Sequence, residues 1–137
     1  MAVRQLVRGA DRTVADLLGL RAVAEEDVVL VDARDLDPAE EPFLAASVVA
    51  RCPVDRVPVP DRPVYLHLDL DVVDPQDVPG LLFPAPGGPR LPAFTAAVRD
   101  VLAGGSVAAV GFACTWRPGS GADRILADLA REVAAPR

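Results

Sequence analysis

At 137 residues, 51% hydrophobic and 25% charged, the chain is long enough to build a hydrophobic core and too apolar to remain disordered. Its formal net charge of -6, from 20 acidic against 14 basic residues with no basic block, repels phosphate backbones and argues against nucleic acid as a partner. No apolar run approaches the ~20 residues of a membrane span, and charges at Arg4, Arg8, Asp11, Arg12 and Asp16 interrupt any signal-peptide core, so a soluble, cytoplasmic protein is expected.

In chain order, Val14, Leu17 and Leu18 share one helical face within residues 12–19, and Gly19 supplies a stop. The run Val28 to Val31 is apolar on both faces, as expected of a buried parallel strand, and Asp32, Arg34, Asp35 and Asp37 follow at its carboxyl end. Residues 39–50 read as a helix. Pro53, Pro58, Pro60 and Pro63 then predict extended chain with at most one edge strand. From Val64 to Leu70 the sequence alternates: Val64, Leu66, Leu68 and Leu70 point one way, while Tyr65, His67, Asp69 and Asp71 point the other. Residues 75–92 are rich in proline and glycine and predict a long irregular loop, a length that usually signals function or disorder. A helix over 93–103, a strand over 107–114 and a helix over 122–134 complete the chain. This order predicts one α/β unit over residues 1–137, with a mainly parallel sheet covered on both faces by right-handed crossovers. Ligands in such sheets sit at the carboxyl ends of strands.

The chemistry concentrates there. His67 is the only histidine, and the two cysteines, Cys52 and Cys114, are too far apart in sequence for a CxxC site, so any metal must be held mainly by carboxylates. Asp69 and Asp71 end the alternating strand. At ~6 Å and an effective dielectric of ~20, two such charges repel by about 3 kcal/mol, a cost that a divalent cation would remove. A DxD pair alone also occurs in phosphotransferases, in glycosyltransferases and as ordinary strand-end capping residues.

The downstream register narrows these alternatives. Asp69-x-Asp71-Val72-Val73-Asp74-Pro75, then Pro79-Gly80, Pro84, Pro86 and Gly87-Gly88, resembles without gaps the DxDxxDPxxxPGxxxPxPGG signature of the arginase, agmatinase and formiminoglutamase family, the ureohydrolases. Upstream, Asp32-Ala-Arg34-Asp35-Leu-Asp37-Pro38-Ala-Glu40 is similar to the family's GxRDxDPxE, with Asp32 where glycine is usual. The segment from Val110 to Pro118 is similar to the strand ending in E-x-x-P, with Thr115 in place of the glutamate.

The resemblance implies an arginase-like three-layer α/β/α fold, present here only as its carboxyl-terminal half and therefore incomplete. It also implies manganese as cofactor, with Asp69 and Asp71 as ligands of a metal pair whose bridging hydroxide attacks an amidine or guanidine carbon of a small-molecule substrate. Asp37 and Glu40 match loop carboxylates that contact the amino end of the substrate; as residues, they equally suit a helix start, with Pro38 in the first turn. Asp74 reads as a turn cap before Pro75. His67 shares a face with Asp69 and is placed either as a packed group or as a hydrogen-bonding neighbour of a metal ligand.

Three features depart from the family pattern. The HD and DAHxD motifs that bring the remaining metal ligands are absent, Thr115 removes the charge that pairs with a guanidinium, and Leu81, Leu82 and Phe83 replace a TGT-like triplet. The expectation is a truncated hydrolase that binds manganese weakly or not at all and is inactive as this chain alone; the alternative is a non-catalytic remnant serving as an interaction or assembly module. Apolar surface left uncovered in half a domain predicts self-association, as a homo-oligomer or aggregate.

Overall fold

In a computed structural model, which describes residues 2–7 and 11–135, the chain divides into two compact units, Met1–Cys52 and Pro53–Arg137. In the first, strand β1 (Val29–Val31) pairs in parallel with β2 (Ala50–Cys52), placing Val29 opposite Ala50 and Val31 opposite Cys52. Helix α3 (Glu40–Ala46) makes the crossover. Two short helices, α1 (Ala2–Leu6) and α2 (Thr13–Leu17), precede β1.

This unit corrects the expected element boundaries. The helix read over 39–50 ends at Ala46, because Ser47 turns to an extended backbone and its hydroxyl donates to the Leu44 carbonyl oxygen at 3.1 Å. The β-branched pair Val48 and Val49 then leads into a strand that residue-level periodicity did not reveal. The short helix Ala2–Leu6 was likewise not expected.

The second unit carries the alternating strand. Strand β3 (Val64–Asp69) pairs in parallel with β4 (Val107–Ala113), His67 opposite Gly111 and Asp69 opposite Ala113. Helix α4 (Leu91–Ala103) connects them, and α5 (Ala122–Ala134) follows. Phe94, Val98, Val101 and Leu102 recur at helical spacing along α4 and are all buried. Phe94, Val98 and Leu102 meet Leu68, Leu70, Val73, Val78, Leu81 and Leu129 in one core, while Tyr65 on the other face of β3 is 61% exposed.

The proline- and glycine-rich segment between β3 and α4 is irregular, as expected, and is fastened at defined points. Asp74 caps its turn by accepting from the Gln76 amide at 2.9 Å. The Asp77 carboxylate accepts from Nε and Nη2 of Arg90 and from the amide of Leu91, tying the far end of the loop to the first turn of α4. Both strand pairs are parallel, and helices alternate with strands as the α/β reading requires.

Candidate metal and substrate site

Leu70 is completely buried, and it lies between the two aspartates. After Asp69 the strand gives way to a 3-10 turn over Leu70–Val72, at whose start the Asp69 carboxylate accepts from the Asp71 amide at 3.4 Å. Strict alternation would have carried Asp71 onto the Asp69 face along a continuing strand. The structure brings it to the same place by a turn anchored on Leu70. Asp69 and Asp71 both line a concavity of about 250 Å³, together with Leu81, Phe83, Ala113, Cys114 and Thr115.

Those walls come from two backbone segments held side by side. The Leu82 amide donates to the Thr115 carbonyl oxygen at 3.0 Å, the Arg117 amide donates to the Gly80 carbonyl oxygen at 2.9 Å, and Leu81 faces Trp116 in an antiparallel bridge. Burial, and after it the negative charges of Asp69 and Asp71, push the Cys114 thiol above its ordinary value, so this wall is uncharged at neutral pH. Cys114 and Ala113 are lining residues that the sequence reading did not single out; their position beside Thr115 at the end of β4 was the available signal.

The other expected site residues lie elsewhere. His67 is exposed and does not line the concavity; its Nδ1 lies 3.3 Å from the Tyr65 hydroxyl. Asp37 and Glu40 belong to the first unit, where they form a turn at the start of α3. The Glu40 amide donates to the Asp37 carbonyl oxygen at 2.8 Å, and the Glu40 carboxylate accepts from the Asp37 amide at 3.4 Å. The helix cap itself is Ala39, without a side-chain bond, so the capping role considered for Asp37 is replaced by this reciprocal turn.

In kind, the two carboxylates at β3 fit a hard divalent cation. In number they fall short of the ~6 donors that such an ion takes, and among the described residues no three His, Cys, Asp or Glu side chains come together to hold a metal.

The arginase-family profile matches residues 7–133. The chain belongs to the arginase family. Solved structures of the same fold include arginase from Bacillus cereus, at 22% identity and a TM-score of 0.84 over 100% of this chain and 54% of that one. Formimidoylglutamase from Bacillus subtilis aligns at 18% identity with a TM-score of 0.69, over 88% of this chain and 44% of that one. Entamoeba histolytica arginase, solved with L-ornithine, aligns at 14% identity with a TM-score of 0.79 over 97% of this chain and 51% of that one. No curated protein sequence matches the chain. This arginase-family chain thus spans about half the length of its solved relatives. Among its described residues no helix is long and apolar enough to cross a membrane.

Asp32 is the one non-glycine residue with positive φ among the described residues, at 49°, so the backbone there keeps the left-handed turn that glycine ordinarily serves.

Proposed function

We propose that this chain is the carboxyl-terminal portion of a manganese-dependent arginase-family hydrolase acting on C–N bonds of linear amidines or guanidines. Asp69 and Asp71 are its metal ligands, and the remaining donors lie outside this sequence. The observation that carries the reading is the convergence of both carboxylates, held by buried Leu70, in one pocket at the carboxyl end of a parallel strand.

When bound, the metal pair would supply an activated water and an electrophilic clamp. This chain's own residues bring two carboxylates, an apolar wall and the Thr115 hydroxyl, which offers a neutral hydrogen-bonding group where the family has a carboxylate. Asp37 and Glu40 are proposed to face the amino end of a substrate. Small-molecule binding accords with the L-ornithine complex of the Entamoeba histolytica relative. Exposed Val14, Leu17, Leu18 and Leu20 favour self-association of the isolated chain, in a soluble cytoplasmic setting.

With only two carboxylates available, the 137-residue chain is inactive and its manganese affinity weak. Calorimetric titration with Mn²⁺ tests this: the expected result is an isotherm in the millimolar range or none, and a tight two-ion isotherm would overturn the reading.

A further inference from the structure

Phe83 lines the pocket at Asp69 and Asp71, yet it is 74% exposed, so burial of its ring is not what holds it there. Its place is set by the backbone that carries it. The Leu82 amide and the Gly80 carbonyl oxygen are bonded to Thr115 and Arg117, and the buried Leu81 bridges to Trp116. The same segment is closed at its neck. The Asp74 amide donates to the Pro89 carbonyl oxygen at 2.9 Å. Further in, the Asp77 carboxylate accepts from Nε of Arg90 at 2.7 Å, from its Nη2 at 2.5 Å and from the Leu91 amide at 2.8 Å.

Between neck and pocket the chain is stiff. Pro79, Pro84, Pro86 and Pro89 each fix φ, and Val78 sits fully buried in the core with Leu81 and with Phe94 of α4. Val78 and Pro79 alone separate Asp77 from Gly80, so a shift at the neck passes directly into the bonded wall. The Asp77 side chain is 14% exposed, and Arg90 meets it through two parallel bonds, which makes the pair directional and partly shielded from water. The contact of Asp55 with Arg56, at 3.9 Å between two exposed side chains, has neither property.

We infer that Asp77 and Arg90 are positioning residues for this pocket: their pair latches residues 74–90 into one body and fixes Leu81, Leu82 and Phe83 against the end of β4. Neither side chain lines the concavity, and the effect reaches it through Gly80 and the Leu82 amide. The inference takes from the proposed function only the place of the site; the latch acts on the wall with or without metal at Asp69 and Asp71.

Cys114 lines the same pocket, so its alkylation at one fixed pH, in the full chain with Cys52→Ser, reads how often the wall opens. The charges acting on its thiol are those of Asp69 and Asp71, so loss of the Asp77 charge does not itself change its reactivity. Asp77→Ala is expected to speed both Cys114 alkylation and hydrogen exchange of the Leu82 and Arg117 amides about tenfold. Arg90→Ala keeps the bond from Leu91 and is expected to speed them about threefold. The Arg90 side chain is 64% exposed, so this second variant spares the core. Arg99→Ala breaks the ion pair with Glu132 that joins α4 to α5, and is expected to leave these rates unchanged. Unchanged rates in Asp77→Ala and Arg90→Ala would overturn the inference. So would equal acceleration in Arg99→Ala, which would mean that the wall opens only when the whole chain unfolds. No arm uses Mn²⁺, so a failed latch leaves the metal assignment of Asp69 and Asp71 standing, and a failed metal assignment leaves the latch standing.

Discussion

The amide of Leu82 donates to the carbonyl oxygen of Thr115 at 3.0 Å, and this bond ties the proline-rich loop to the end of β4. Together with the Arg117 to Gly80 bond, it makes the loop a wall of the pocket. The close approach depends on Gly80, whose φ is +79° and whose hypothetical Cβ would stand 2.3 Å from the Ser120 Cβ.

Gly80→Ala therefore combines backbone strain with a steric clash and is expected to destabilise the chain by about 3 kcal/mol. Gly87 has a similar φ of +75° with nothing within 4 Å of a Cβ, so Gly87→Ala should cost only about 1 kcal/mol. Urea unfolding of the pair checks the account. Equal losses would mean that contact with Ser120 is not what Gly80 is needed for.

Leu70→Ala is expected to cost about 3 kcal/mol, since it opens a cavity under a fully buried side chain. It should also loosen the turn that brings Asp71 beside Asp69. Denaturant unfolding measures the first effect. Broadened Asp69 and Asp71 amide resonances under native conditions would report the second.

The pairing of Asp77 with Arg90 makes stability sensitive to acid. The Arg90 guanidinium first, and the Leu91 amide after it, hold the Asp77 carboxyl below its ordinary 3.8. The unfolded chain thus takes up this proton at higher pH than the folded one. The contribution is complete above about pH 5 and is lost as pH falls through the depressed folded value. Arg90, raised by the same partner, stays charged throughout that window. Asp77→Asn should lower Tm near neutrality, and the gap to the parent chain should narrow as pH falls below the ordinary 3.8 and close once Asp77 is protonated in the folded chain. A gap that persists in acid would mean that Asp77 acts through packing alone.

The Cys114 thiol reports the field of the pocket. In a Cys52→Ser background, its alkylation rate should reach half-maximum above the ordinary thiol value of 9.0. Burial is the larger cause and the charges of Asp69 and Asp71 the smaller ones, so the double substitution Asp69→Asn/Asp71→Asn should lower the midpoint without returning it fully to 9.0. An unmoved midpoint would show that the aspartates do not act on Cys114.

Much of the second unit was legible from residue order, because its elements present one buried face. Leu66 and Leu68 alternate with Tyr65 and His67 along β3, and the apolar spacing of α4 matches the face it buries. Strand β2 was not legible: Ala50, Arg51 and Cys52 are too few to establish a period, and only Cys52 is even partly buried. The aspartates were found through spacing and motif register. The joining of the loop to the end of β4 was less visible, because it runs through the backbone hydrogen bonds from Leu82 to Thr115 and from Arg117 to Gly80, which leave no mark on side-chain pattern. His67 shares the face of Asp69 in sequence, yet its polar contact is with Tyr65.

The central claim, that Asp69 and Asp71 are the metal ligands this chain contributes, is tested most directly by paramagnetic broadening of backbone amides with Mn²⁺. The account predicts weak, millimolar broadening centred on residues 69–72 and 113–115, abolished in Asp69→Asn/Asp71→Asn. Broadening centred elsewhere, or unchanged in the double variant, would contradict it.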